Sequence, residues 1–152
     1  MMKGFNLKYF YIILMLLTNA QLYAKFDKTN DIVTDSRTSL KWQDNYSDNA
    51  NVIKKSSWTD AIDYCETKDE FGFDDWRLPN KNELFTIVDY TNIDPSIDKH
   101  FESNVSNYYW TSSTYPQDTA KAWAVYFKTG SITEAKKTNS YYVRCVRAGQ
   151  NQ

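Results

Sequence analysis

Histidine, cysteine, glycine and proline are all scarce in this chain of 152 residues, with one, two, four and three copies. Two cysteines and one histidine are too few for a Cys₄ or Cys₂His₂ zinc site. Four glycines form no phosphate-cradling loop. The single histidine, His100, has no Ser or Cys motif beside it, so a nucleophile-and-base pair is not legible. Charge of one sign is missing as well. Lys and Arg total 18 against 19 Asp and Glu, a net charge of -1, where a nucleic-acid binder is usually basic. The only long apolar run, residues 9–17, is about nine residues, against the roughly 20 a spanning helix needs.

That run belongs to an N-terminal segment with Lys3 and Lys8 before it and Ala24 at a cleavage position behind it. Residues 1–24 read as a signal peptide and residues 25–152 as one domain with no membrane span. Cleavage after Ala20 and an uncleaved anchor are the rival readings. Without residues 1–24 the chain carries 16 basic and 19 acidic residues, net -3. Export places it in the periplasm, outside the cell or on the cell surface, where cysteine pairs persist. The one intramolecular pairing is Cys65 with Cys145, 80 positions apart; two free thiols or an intermolecular bridge are the alternatives.

Aromatic residues are plentiful, with 12 Tyr, 8 Phe and 5 Trp, so some rings are expected at the surface. Residues 31–35 and 40–43 read as a hairpin around Asp35-Ser36-Arg37-Thr38. Residues 44–55 read as a polar loop. Trp58, Ala61, Ile62 and Cys65 fall on one helical face, with Ser57 as N-cap and Gly72 helping to end the segment. A connector, Phe73-Asp74-Asp75-Trp76-Arg77-Leu78-Pro79, leads to a second helix. Asn80 and Glu83 cap it, and Leu84, Ile87 and Val88 form its buried stripe. Residues 98–101 suggest one further helical turn. Residues 108–113, 122–127, 131–133 and 140–148 then read as strands, which makes an α+β domain of two helices packed on antiparallel sheets.

In order along the chain come Val33-Thr34-Asp35, Thr38-Ser39-Leu40-Lys41-Trp42-Gln43 and Trp58-x-x-Ala61 leading to Cys65. Asp75-Trp76-Arg77-Leu78-Pro79-Asn80 with Glu83-Leu84 and Asp94-Pro95-Ser96-Ile97-Asp98 with Phe101 follow. Tyr109-Trp110-Thr111-Ser112-Ser113, Ala122-Trp123 with Phe127 and Gly130, and Val143-Arg144-Cys145-Val146-Arg147 complete the series. Together they resemble the Lcl C-terminal domain family of bacterial exported and collagen-like adhesin proteins. The resemblance implies a C-type-lectin-like fold. For the collagen-like adhesins it implies adhesion through sulfated glycosaminoglycans and other host-surface ligands. No collagen repeat is present here.

The residues themselves support a non-enzymatic carbohydrate-binding or protein-interaction module. A hydrolase using Asp74 and Asp75 is a third reading. Arg77 offers a planar fork for a carboxylate or sulfate, with Asp75 or another acid as its structural partner. Tyr108, Tyr109, Trp110 and Trp123 could pack on sugar rings, but Trp110 and Trp123 read as core; Tyr115, Tyr126 and Tyr142 are the candidate exposed rings. Lys121, Lys136, Lys137 and Arg144 are the candidate contacts for an anionic ligand, and Lys128 and Arg147 lie in the same half of the chain. The expected partner is a glycan or a surface protein, not nucleic acid. No cofactor is required, although Asp74, Asp94 and Asp98 are conceivable calcium donors and the usual lectin tripeptides are missing.

Overall fold

The computed structural model describes residues 25–149. The signal peptide read over residues 1–24 lies outside the described residues. Nine strands form two sheets. The first contains β1 (Phe26–Thr29), β2 (Ile32–Asp35), β3 (Leu40–Gln43) and β9 (Val146–Ala148), in that order. The second runs β4 (Lys55–Ser56), β8 (Tyr141–Tyr142), β5 (Tyr108–Thr114), β6 (Lys121–Tyr126) and β7 (Ser131–Lys136). All pairings are antiparallel except β5 with β8. The expected hairpin is β2–β3, with Val33 opposite Trp42.

Both helices form where the apolar spacing and the caps place them. The first, Trp58–Glu66, buries Ala61 and Cys65, and the Ser57 side chain accepts from the Asp60 N–H. It ends well before Gly72, which sits in a later turn. The second, Lys81–Phe85, has the full capping box: Asn80 accepts from the Glu83 N–H, and Glu83 reaches back to the Asn80 N–H. It is shorter than its stripe suggested. Ile87 and Val88 follow it in a turn, with Ile87 fully buried.

Each face of the second sheet carries one helix. Trp110, Ala122, Ala124 and Ala135 share a face with Ala61 and Cys65 of the first helix. Three alanines there leave room for the indole. Tyr109 and Val125 point the other way, with Phe127 just beyond β6, and pack with Leu84 of the second helix and Ile87 just after it. This cluster continues to Val33, Trp42 and Val146 of the first sheet. A fully buried ring of this kind contributes about 1.5–3 kcal/mol. Gly130 closes the β6–β7 turn at φ +72°, where a Cβ would lie 2.7 Å from Val88 and Tyr90.

Residues 140–148 are not one strand. Tyr141–Tyr142 completes the second sheet and Val146–Ala148 the first, with Arg144 and Cys145 in the crossing. Cys145 is bonded to Cys65, Sγ to Sγ at 2.04 Å. The expected helical turn at residues 98–101 is a plain turn closed by Phe101 N–H on Asp98 O. The region read as a polar loop holds a 3₁₀ turn, Ser47–Asn49, and β4, and buries Tyr46 and Ile53.

The connector is held from both ends. Arg77 exchanges two backbone hydrogen bonds with Val146 of β9, each 2.9 Å. Its guanidinium is bidentate to Glu83, at 2.8 and 2.7 Å, and not to Asp75. Asp75 instead pairs with Arg147, Nε to Oδ1 at 2.5 Å, which holds the Asp75 carboxyl below its ordinary range.

Closing a loop of this size stabilises by about 4.5 kcal/mol in the chain-entropy model. Cys65→Ala and Cys145→Ala should each lose a similar amount in denaturant unfolding, and the double variant should lose little more. Burial pushes the Glu83 carboxyl up, but the Arg77 fork and the Asn80 N–H outweigh it and hold the pKa below its usual 4.5. A depressed folded-state pKa stabilises above the unfolded value, and the gain is lost as pH falls through the folded one. Glu83→Gln should therefore lower stability at pH 7 and flatten the loss of stability below about pH 4.5.

Candidate functional site

Alternation along β6 and β7 decides which of the candidate residues meet. Directly opposite residues share a face, so Lys121 with Lys136 and Trp123 with Glu134 project together from one side. Tyr115, just past β5, sets its ring edge-on to Trp123 at 5.0 Å. Lys81, from the start of the second helix, places its ammonium 4.8 Å from the centre of the Trp123 ring. Lys121 lies 5.9 Å from the Tyr115 ring and 3.9 Å from Glu134. Three lysines and two rings thus surround one carboxylate on a partly open surface.

Trp123 is therefore not the core residue its strand pattern suggested. It is half-buried, whereas Trp110 is fully buried and donates to Ser56 O. Lys81 was not legible as a site residue, because only the placement of the second helix against β6 brings it to the indole. The directly opposed lysines are also unusual. Like charges facing each other across a ladder repel, and a ligand anion between them would relieve the repulsion.

Other candidates lie elsewhere. Lys137 points away from Lys136, with its ammonium 3.8 Å from the Trp58 ring centre and donating to Thr114 Oγ1 at 3.0 Å. The two adjacent lysines are thus not one patch. Tyr126 is on the opposite face from Trp123, stacked on Tyr108 at 4.2 Å, and Tyr108 stacks in turn on Tyr141 at 5.0 Å. These rings cover one another's faces, which leaves little flat surface for a sugar. Tyr142 is half-buried between Tyr109 and the Lys55 ammonium. Arg77 is engaged by Glu83 as described.

Arg144 has to be removed from the ligand contacts. It is 0% exposed. Its Nη1 donates to Gln43 O at 2.6 Å and to Asp44 Oδ1 at 2.9 Å, and its Nη2 donates to Ser103 O. Asp44 also accepts from Lys28 Nζ at 2.7 Å and from the backbone N–H groups of Glu102 and Ser103. Phe101 packs beneath the guanidinium at 4.7 Å. A charge held in this way is structural, and removing one partner leaves the other buried and uncompensated. Arg144→Met should cost about 3–5 kcal/mol in unfolding experiments. The folded fraction should bind any surface ligand as the parent does.

The three conceivable calcium donors are not gathered into one group. Asp98 is bonded by the His100 backbone N–H and lies 2.6 Å from His100 Nδ1. Asp94 is taken by Ser106 and sits 3.9 Å from Lys128. Asp74 is exposed. Among the described residues no group of three or more His, Cys, Asp or Glu is placed to hold a metal ion. Nor is any described helix long and apolar enough to cross a membrane.

No curated protein matches the chain. The family model described as the Lcl C-terminal domain does, over residues 31–147. That span begins at the β1–β2 turn and ends in β9, so it takes in the second sheet, the first sheet without β1, both helices and the disulfide. With this match over most of its length, the chain belongs to the Lcl C-terminal domain family.

Proposed function

We propose that this domain is an exported, non-catalytic adhesion module that binds anionic surface glycans through the Trp123 face. The observation that carries the reading is the grouping of Lys81, Lys121 and Lys136 around the half-open Trp123 and Tyr115 rings. Aromatic rings of this kind pack on the apolar faces of sugars, and the ammonium groups supply partners for sulfate or carboxylate. Family membership supports a surface role. A thiol nucleophile is removed because both cysteines are in the disulfide, and no step of the reading runs through calcium.

A second observation favours a protein partner on another surface. Phe85, the last residue of the second helix, and Tyr90 and Ile93 beyond it are exposed close together in sequence, Ile93 at 87%. Phe85 and Tyr90 touch edge to face at 6.5 Å. A protein ligand insensitive to competing sugar would be assigned there.

A glycan array at two salt concentrations tests the first reading. Binding should favour sulfated or otherwise acidic chains and fade with salt, because exposed charges are screened. Trp123→Ala and Lys121→Ala should each weaken it at least tenfold without unfolding the protein. Binding to no glycan, or equal binding by both variants, would overturn the assignment.

A further inference from the structure

A groove lies over the face of the first sheet that carries Ile32, Thr34 and Lys41. Residues 70–73 form a tight two-residue hairpin, in which Glu70 and Phe73 exchange two backbone hydrogen bonds of 3.1 Å. Its two tip residues, Phe71 and Gly72, have φ of +59° and +75°. Glycine adopts this geometry freely, and asparagine is the usual companion in such a turn. A phenylalanine there is a backbone outlier. Even so, Phe71 stays 40% exposed. Backbone strain that holds an aromatic ring partly open at the surface points to function. The root of the hairpin is fixed in place: the Glu70 carboxylate lies 3.0 Å from Lys68 Nζ, and Trp76 Nε1 donates to Glu70 O.

Phe71 lines a groove of about 340 Å³ with Phe73, Ile32, Thr34, Asn30 and Lys41. The Asn30 amide and the Thr34 hydroxyl have no hydrogen-bond partner among the described residues, and the Lys41 ammonium lies 5.3 Å from the Phe73 ring centre and in the field of the Asp75 carboxylate. Lys41 stands directly opposite Arg147 in the β3–β9 ladder. Arg147 is already paired to Asp75 and lies 3.7 Å from the Phe73 ring centre. The groove therefore has a partly exposed ring, an apolar floor at Ile32, two neutral polar groups and one ammonium with no direct hydrogen bond.

We infer that this groove binds a sugar residue bearing a single carboxylate, with the pyranose ring on Phe71 and the carboxylate on Lys41. One ammonium suits one carboxylate, unlike the three lysines around Trp123. The inference extends the glycan reading to a separate face, and the two can fail independently.

The test uses titration calorimetry of the purified protein with tetramers of glucuronic acid and of galacturonic acid, each beside its carboxyl-reduced counterpart. The parent should bind at least one acidic tetramer better than its reduced form. Phe71→Asn suits the turn better, so its melting temperature should equal or exceed the parent's while affinity falls at least tenfold. Phe71→Trp should keep affinity within a few-fold, and Lys41→Gln should erase the preference for the acid. Parent binding to neither acidic tetramer overturns the inference, as does Phe71→Asn binding within twofold of the parent. Loss in Trp123→Ala instead of Phe71→Asn would overturn it while leaving the Trp123 reading in place.

Discussion

The ion pair of Asp44 with Arg144 is the interaction on which the architecture rests. Four segments meet at it: the end of β3, the crossing between β8 and β9, the loop at residues 101–103 and, through Lys28, strand β1. Such a pair is held only where hydrogen bonds satisfy most of both groups, and Asp44 accepts on both carboxylate oxygens. Gln43, next to Asp44, adds two more ties to the neighbouring cysteine. Its N–H donates to Cys145 O, and its side-chain carbonyl accepts from the Cys145 N–H. Charge pair and disulfide thus sit side by side where the chain passes from one sheet to the other. The covalent bond fixes that crossing to the first helix, and the ion pair fixes it to the first sheet.

How much of this was legible depends on how local each signal was. The Trp58, Ala61, Cys65 stripe and the Asn80, Glu83 box are set by neighbours three or four positions away, and both appear as read. The two cysteines left one intramolecular pairing, and it is the bond observed. Strand β1 and the two-residue β4 carried no comparable local signal and are defined by distant partners. Arg144 misled because residues 140–148 alternate like one continuous strand, and nothing local marks the change of sheet. Asp44, its partner 100 positions away, looked like the start of a polar loop.

The candidate face around Trp123 was legible in part, for the same reason. Tyr115, Lys121 and Lys136 come together because strand pairing brings them together. Lys136 and Lys137 separate because successive residues of an extended chain face opposite ways. That separation follows from a period of two and could have been read in advance. The half-open position of Trp123 could not, since it depends on the second helix covering Val125 but only its first residue, Lys81, reaching the indole. The two faces of the sheet consequently have different roles. One is filled by alanines, Trp110 and the first helix, and the other is left partly uncovered at its Lys121 end.

The division of residues 140–148 between the two sheets also governs the order in which the fold can be completed. A chain emerging N-terminus first can pair β1 with β2 and β3, and later β5 with β6 and β7. It cannot insert β8 between β4 and β5, or set β9 against β3, until residues 141–148 are free. The buried guanidinium and the second cysteine arrive with them. Contacts this distant along the chain form slowly, because loop closure has to precede the interactions that stabilise it. Until then the nascent domain holds separately paired strands that only this final segment joins into one core.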